Sequence, residues 1–170
     1  MVGAVGESDL ELLQTTEALH NQVHLGRAYF SAFHPIEDTP LENLPAESPL
    51  RQLRLYQSSF LLRDYGFSVE DLPFNPEGRL PLNQDPKVAW AQANLSEHPI
   101  EINRASREEL LRIPGIGPRS VQAILKSRRQ GDLIHVKDLY DLRRIGVNPG
   151  RAAPFILLNG KRAAQQLSLW

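Results

Sequence analysis

The stretch LLRIPGIGPRSVQAI, residues 110–124, constrains the fold of this chain more than any other. Gly115 and Gly117 bracket Ile116, so two positions of a turn can take a positive φ or let another backbone approach closely. Pro118 follows at once, where its fixed φ suits the first turn of a helix. Apolar residues recur at helical spacing on both sides. The stretch therefore predicts two short helices joined by a tight hairpin.

Such a hairpin presents backbone N–H groups at the N-terminus of its second helix, where the helix dipole favours an anion. The surrounding sequence is basic, with Arg119 at the start of that helix and Lys126 and Arg128 near its end. We interpret the anion as a nucleic-acid phosphate. The plainer interpretation is a helix corner whose glycines serve only the turn.

This stretch resembles the helix-hairpin-helix DNA-binding motif. Residues 113–117 meet its pattern of an apolar residue, any residue, Gly, an apolar residue and Gly, and Val121 stands where the family usually has Ala. The resemblance implies that phosphate is bound around Gly115, Ile116, Gly117, Arg119, Ser120 and Lys126. It also implies a monovalent cation held by the backbone carbonyls of Leu111, Ile113 and Ile116.

The charge of the chain is divided between its two halves. Residues 1–102 carry 6 Lys or Arg and 15 Asp or Glu, a balance of −9, whereas residues 103–170 carry 13 and 5, a balance of +8. This asymmetry favours two modules, the second suited to a polyanion such as DNA. In the alternative, the halves attract each other and the basic face is covered.

Composition narrows the classes of function. The chain has no Cys, which excludes disulfides, cysteine nucleophiles and an iron–sulfur cluster ligated by cysteines of this chain. No apolar run is long enough to span a bilayer, and the N-terminus lacks a signal-peptide pattern, so we expect a cytoplasmic protein with no membrane partner. No nucleophile–base set, carboxylate pair or His cluster is visible, so a stand-alone enzyme is the least favoured class.

The first 33 residues predict a strand–helix–strand unit. Residues 1–5 and 26–33 have strand-like composition, and Ser8 with Glu11 forms a capping-box pattern ahead of a helix that ends near Asn21. Parallel strands need cover on both faces of their sheet and a right-handed crossover. Two strands and one helix cannot provide that cover. We therefore expect an open sheet edge and missing strands, in another chain or in a longer form of this protein.

The middle of the chain predicts one long helix and a connection. Residues 49–64 predict a helix with Ser48 as its N-cap and Arg51 away from the apolar face. That face comprises Leu50, Leu53, Tyr56, Phe60 and Leu61. The irregular, proline-containing residues 72–85 predict a linker between modules, and a short helix begins at Pro86.

The residues after the hairpin stretch predict a second, degraded hairpin. A helix is predicted over residues 135–144, with Val136, Leu139, Tyr140 and Leu142 facing inward. Gly146 then marks a turn, and residues 151–157 predict the following helix. Paired copies of the motif pack around a shared core, because one copy alone is too small to be stable.

Nearly the full chain resembles the C-terminal portion of a bacterial radical-SAM family described as DNA modification or repair proteins. The resemblance is carried by VGAVGESD (2–9), YFSAFHPIEDTPLENLP (29–45), LRQLRLYQSSFLLRDYGF (50–67), DPKVAWA (85–91) and the hairpin module. It implies an α/β fragment, the C-terminal strand–helix–strand of a partial βα barrel, followed by a mostly α helix-hairpin-helix domain. The implied segments are 1–47 for the barrel fragment, 48–98 for a helical extension and linker, 99–162 for the hairpin domain and 163–170 for a tail.

The same resemblance implies cofactors that this chain cannot hold by itself. The family binds S-adenosylmethionine and a [4Fe–4S] cluster on three cysteines in a CxxxCxxC motif, and this chain has no Cys. The chain would then be a C-terminal piece whose partner is the missing N-terminal portion of the barrel. By resemblance, the residues that border the S-adenosylmethionine pocket are Gly3, Gly6, Glu7, Pro35 and Thr39.

The leading hypothesis is DNA binding without sequence preference, by a hairpin domain that forms the C-terminal part of a radical-SAM enzyme. One alternative is a complete, non-enzymatic DNA-binding protein. The other is a protein-interaction module whose basic face is incidental, which predicts no affinity for duplex DNA at moderate salt.

Overall fold

The computed structural model describes residues 1–129 and 139–162. Within them the chain is mostly helical, with one small three-stranded sheet. The chain divides into two compact units, Met1–Ala89 (unit 1) and Trp90–Trp170 (unit 2). None of the helices in the described ranges combines the length and the apolar character that crossing a membrane requires.

Two helices form most of unit 1. Helix α1 spans Asp9–Val23 and begins with the predicted capping box of Ser8 and Glu11. Helix α2 spans Pro49–Asp64, with Ser48 as its N-cap and a proline in the first turn. The two helices pack against each other. Both predicted helix starts are therefore confirmed.

A single parallel bridge between Val2 and Ala32 replaces the two predicted strands. The Val2 amide donates to the Ser31 carbonyl at 2.7 Å, and the Val2 carbonyl accepts from the Phe33 amide at 2.8 Å. Gly3 has a φ of +90°, outside the extended region, so the pairing does not continue. The parallel direction is confirmed, but the predicted extent of the strands was wrong.

Side chains of α2 cover the outer edge of this bridge. Amides alternate in direction along an extended segment, so those of Phe30 and Ala32 point away from Val2. The Phe30 amide donates to the Tyr56 hydroxyl at 3.1 Å, and the Ala32 amide donates to Gln52 Oε1 at 2.8 Å. The open edge expected on this side is not seen, because α2 supplies the acceptors that a further strand would have supplied.

Helix α2 turns a different face to the core from the one that its pattern predicts. Leu50 and Leu53 are 49% and 44% exposed, whereas Arg51 is only 4% exposed. Arg51 and Leu55, one helical turn apart, belong to the buried stripe. A pattern of apolar residues alone could not predict this face, because a charged residue lies in the middle of it.

Arg51 is buried because acceptors surround its guanidinium. Its Nε donates to Asp9 Oδ1 at 2.6 Å, its Nη1 donates to Glu47, and its Nη2 donates to the Glu7 carbonyl at 2.7 Å. Asp9 Oδ2 also accepts the Leu80 amide at 2.9 Å. Asp9 is 1% exposed, so each charge offsets the desolvation of the other. This cluster, which we call the Arg51 network, joins the N-termini of α1 and α2.

Residues 72–85, predicted to be a linker, pack inside unit 1. Leu72 and Leu80 are 6% and 3% exposed, and a 3-10 turn at Val69–Asp71 precedes them. The Leu10 amide donates to the Gly78 carbonyl at 3.0 Å. The segment therefore contributes to the core of unit 1, and it does not act as a linker between the units.

Unit 2 contains two pairs of short helices. Helix α3, Pro86–Leu95, begins where predicted and includes the boundary between the units. Helices α4 (Arg107–Arg112) and α5 (Pro118–Arg129) form the first pair, and α6 (Leu139–Arg144) and α7 (Pro149–Ala152) form the second. Among the described residues, its core includes Ile102, Leu110, Leu111, Ile113, Ile116, Val121, Ile124, Leu142, Val147, Ala152, Phe155 and Ile156.

Unit 2 also contains a small sheet, whose last two strands follow the second pair of helices. Strand β1 (Ile100–Glu101) runs parallel to β2 (Ile156–Leu158), which runs antiparallel to β3 (Lys161–Arg162). The helix predicted over residues 151–157 was wrong in its bounds, since α7 ends at Ala152 and a 3-10 turn leads into β2. Pro154 lies in that turn and has no amide hydrogen with which to continue a helix.

The third predicted helix is confirmed in part. Leu142 is fully buried as predicted, but Tyr140 is 69% exposed, so its inward placement was wrong. Tyr140 and Leu142 are two residues apart, about 200° around a helix, so the two side chains cannot share one buried face. Val136 and the side chain of Leu139 lie outside the described residues.

Candidate nucleic-acid interface

A capping box starts the first helix of the hairpin pair. Ser106 Oγ accepts the Glu109 amide at 3.1 Å, and the Glu109 carboxylate accepts the Ser106 amide at 2.6 Å. Helix α4 is therefore held at its start and ends, six residues on, at the turn.

The turn between α4 and α5 is residues 113–117, which we call hairpin 1. Gly115 has a φ of +81°, and a Cβ placed on it would lie 2.6 Å from the Asn148 carbonyl oxygen. Both reasons for a glycine, a left-handed conformation and a close backbone, hold at this position. The Ile116 side chain is 1% exposed, and its amide donates to the Ile113 carbonyl at 3.2 Å. Ile116 thus serves the turn, and its amide is not open to a phosphate.

Hairpin 1 leaves two amides open at the start of α5. The residue before this 12-residue helix is Gly117, which has no side chain to cap it, and Pro118 has no amide hydrogen. Within residues 1–129 and 139–162, the amides of Arg119 and Ser120 have no acceptor. They form an N–H pair at the positive end of the helix dipole.

A second turn with the same plan joins α6 to α7. Residues 144–148, which we call hairpin 2, place Gly146 at a φ of +78° and bury Val147 to 4% exposure. Pro149 then starts α7, as Pro118 starts α5. The second hairpin predicted from Gly146 is therefore confirmed at its turn.

Hairpin 2 differs from hairpin 1 in that a side chain accepts one of the amides at the start of its second helix. Asn148 is the N-cap of α7, and its Oδ1 accepts the Arg151 amide at 3.4 Å. The amides of Gly146 and Val147 each donate at 3.1 Å to carbonyls of α6. A side chain at the position of Gly117 thus accepts an amide of the kind that stays open at Ser120 in hairpin 1.

The two hairpins bind each other through their glycine carbonyls. The Asn148 amide donates to the Gly115 carbonyl at 3.1 Å, and Ser120 Oγ donates to the Gly146 carbonyl at 2.8 Å. Ser120 is 7% exposed. The predicted role of Ser120 in phosphate binding therefore rests on its amide alone, because its hydroxyl holds the two turns together.

Exposed positive side chains lie on several elements of unit 2. Arg119 and Lys126 are exposed, as their predicted contact with phosphate requires. Arg128 has another role: it donates to the carbonyls of Ala105 and Ile102, and burial lowers the pKa of its guanidinium. The exposed Lys and Arg of the described part of unit 2 are Arg104, Arg107, Arg119, Lys126, Arg143, Arg144, Arg151, Lys161 and Arg162.

The carbonyls predicted to hold a monovalent cation lie around the same turn. The Ile113 carbonyl accepts the Ile116 amide, so one of its lone pairs is engaged. The role of Leu111, Ile113 and Ile116 as cation ligands stays a prediction.

The residues predicted to border S-adenosylmethionine lie in unit 1. The amide of Gly3 donates to the Glu7 carboxylate, and the Thr39 hydroxyl donates to the Ile36 carbonyl at 2.7 Å. Burial raises the pKa of Glu7, but hydrogen bonds from Gly3 and other amides lower it, and the net change is downward. Gly6 and Pro35 are exposed. The role of these five residues at an S-adenosylmethionine pocket stays a prediction.

A cleft of about 330 Å³ lies beside β1, and its carboxylates are also engaged. Glu101 accepts the amides of Asn103 at 3.1 Å and Gly160 at 2.7 Å, and Glu109 caps α4. These carboxylates hold the backbone in place, so the cleft does not offer a pair of free acids for catalysis.

The paired turns, the open N–H pair and the basic surface together indicate a known motif. Residues 96–149 match the helix-hairpin-helix motif. The match includes both hairpins, and it covers none of the blocks in residues 2–91 on which the radical-SAM resemblance rests. No curated protein and no solved structure matches the chain.

Proposed function

We propose that this chain binds DNA without marked sequence preference through hairpin 1. The observation that carries the proposal is the open N–H pair of Arg119 and Ser120 at the start of α5, inside the matched motif. Amides at the positive end of a helix suit a phosphate oxygen. A phosphate contact positions a protein on the duplex but reads no base, so little sequence preference is expected.

The charge of the second half supports the same partner. Residues 103–170 carry a balance of +8, and exposed Lys and Arg lie on the described elements of unit 2. Neutralising phosphates releases counterions from DNA, so affinity should fall linearly on a log–log plot against salt, by about 0.9 per contact. Binding to an uncharged surface of a partner protein would lack this dependence.

The substitution Gly117→Asn tests the proposal by giving hairpin 1 the cap that Asn148 provides in hairpin 2. The new side chain would accept an open amide of α5 without changing the net charge. Hydrogen bonds to charged groups contribute about 1.5–3 kcal/mol, so we expect DNA affinity to fall about tenfold or more. Fluorescence anisotropy with a labelled duplex measures this change.

Gly160→Asn is the control, because Gly160 lies in the same unit, a Cβ there meets nothing within 4 Å, and Asn is one of the few residues that adopt a φ such as its +77°. We expect it to bind DNA like the wild type. Circular dichroism checks that both variants are folded. If Gly117→Asn is folded and binds as tightly as the control, hairpin 1 is not the site. A wild-type chain without affinity at moderate salt would favour the protein-interaction module instead.

On the resemblance alone, we further propose that this DNA-binding module is the C-terminal part of a radical-SAM enzyme that acts on DNA in the cytoplasm. The chain has no Cys, so a [4Fe–4S] cluster would need cysteines from a further barrel segment. Sequencing upstream of the codon for Met1 tests this. An in-frame segment with CxxxCxxC would support the enzyme. A stop codon directly upstream would leave a stand-alone DNA-binding protein.

A further inference from the structure

We propose that the phosphate site is shared between the two hairpins, and that Arg151 of α7 supplies a cation to the open amides of hairpin 1. This inference rests on the proposed function, because it adds a side chain to the same site. Arg151 is not part of the hairpin 1 pattern, and its own amide is accepted by the N-cap side chain of hairpin 2.

The position of Arg151 beside hairpin 1 carries the inference. A Cβ built on Gly115 would lie 3.1 Å from the Cβ of Arg151, so the two residues are in contact at the tip of hairpin 1. Gly117 lies next to the open amides and two residues after Gly115, so its Cα is at most about 7 Å from that of Gly115. Arg151 is exposed, and a guanidinium presents a rigid fork of donors that matches two phosphate oxygens.

Contacts between the hairpins fix this placement. The Asn148 amide donates to the Gly115 carbonyl at 3.1 Å, and Asn148 Oδ1 accepts the Arg151 amide at 3.4 Å. Asn148 therefore connects the backbone of Arg151 to that of Gly115. Asn148 also caps α7, so the turn that precedes Arg151 does not offer a pair of open amides.

The arrangement gives one strong site in place of two weak ones. Arg119 from α5 and Arg151 from α7 bring two guanidinium groups to a single N–H pair. Hydrogen bonds between charged partners are about twice as strong as neutral ones, so a phosphate held by both groups is bound more firmly than by amides alone. The second hairpin thus contributes charge and geometry to the first.

The test is the salt dependence of DNA binding by the full chain with Arg151→Gln. The substitution keeps the Arg151 amide and hence the cap by Asn148. On duplex DNA we expect the slope of log affinity against log salt to become shallower by about 0.9, the value for one lost phosphate contact. Lys161→Gln removes the same charge from the exposed strand β3 and should leave the slope unchanged.

A double-mutant cycle with Gly117→Asn asks whether Arg151 acts at the same site. If Arg151 and the open amides hold one phosphate, Arg151→Gln costs much less affinity in the Gly117→Asn background than in the wild type. Equal losses in both backgrounds, or equal slope changes for Arg151→Gln and Lys161→Gln, would overturn the shared site. A wild-type chain that does not bind DNA would instead reject the proposed function itself.

Discussion

Gly115 performs two tasks at once at the tip of hairpin 1. Its φ of +81° forms the turn, and its missing side chain admits the Asn148 carbonyl of the other hairpin. The first task is local, and many glycines of the chain share it. The second depends on a residue far along the chain, so Gly115 matters to the packing of unit 2 as much as to DNA binding.

Gly115→Ala should therefore destabilise unit 2 more than Gly160→Ala. Both glycines have a positive φ, +81° and +77°, so both substitutions carry a similar conformational cost of about 1–2 kcal/mol. Only at Gly115 would the new Cβ meet a backbone oxygen, at 2.6 Å, which adds about 1–3 kcal/mol of overpacking. The free energy of unfolding from urea titration measures the difference. Equal losses would mean that the hairpins separate at little cost.

At the scale of elements, the Arg51 network joins the starts of α1 and α2. Burial raises the pKa of Glu47, but the hydrogen bond from Arg51 lowers it further, and the net pKa lies below the ordinary 4.5. A carboxylate with a lowered pKa in the folded chain stabilises that chain above its unfolded pKa. This contribution is lost as the pH falls from about 4.5 through the folded pKa.

Unit 1 should therefore lose stability in acid, and Glu47→Gln should reduce that loss. We expect the variant to melt at a lower temperature than the wild type at neutral pH, since Arg51 loses a charged acceptor, and to depend less on pH below 4.5. Glu77→Gln, an exposed position in the same unit, is the control. Thermal melts followed by circular dichroism measure the melting temperature of each variant across this pH range. An unchanged acid dependence would show that Glu47 contributes nothing to it.

At the scale of the whole molecule, charge and site coincide in one half of the chain. The open amides and the basic excess both belong to residues 103–170, whereas residues 1–102 carry a balance of −9. The electrostatic attraction of a polyanion is a property of the summed charge, so the two halves should behave differently toward DNA.

A fragment of residues 85–170 should bind DNA, and a fragment of residues 1–84 should not. The cut keeps Asp85 with α3, whose Lys87 amide it accepts at 2.9 Å. Anisotropy titrations at several salt concentrations measure the DNA affinity of the two fragments and of the full chain. DNA binding by the fragment of residues 1–84, or a folded fragment of residues 85–170 without affinity, would contradict the assignment of the site to unit 2.

Sequence reasoning succeeded where the signal was local. The capping box of α1, the proline starts of α2 and α5 and the turn glycines Gly115 and Gly146 all act within a few residues, so the sequence alone determined them. The helix-hairpin-helix pattern at residues 113–117 is equally local, and it lies inside the matched motif.

Only the tertiary structure decided which of these local features are open to a ligand. The burial of Arg51 requires Asp9, the covered edge at Ala32 requires Gln52, and both partners come from other elements. The two hairpins look alike in sequence, yet Asn148 accepts an amide at the start of α7 while Gly117 has no side chain to do so for α5. Arg151 of the second hairpin contacts Gly115 of the first. Such contacts depend on distances between residues far apart in the chain, which a pattern of neighbours does not contain.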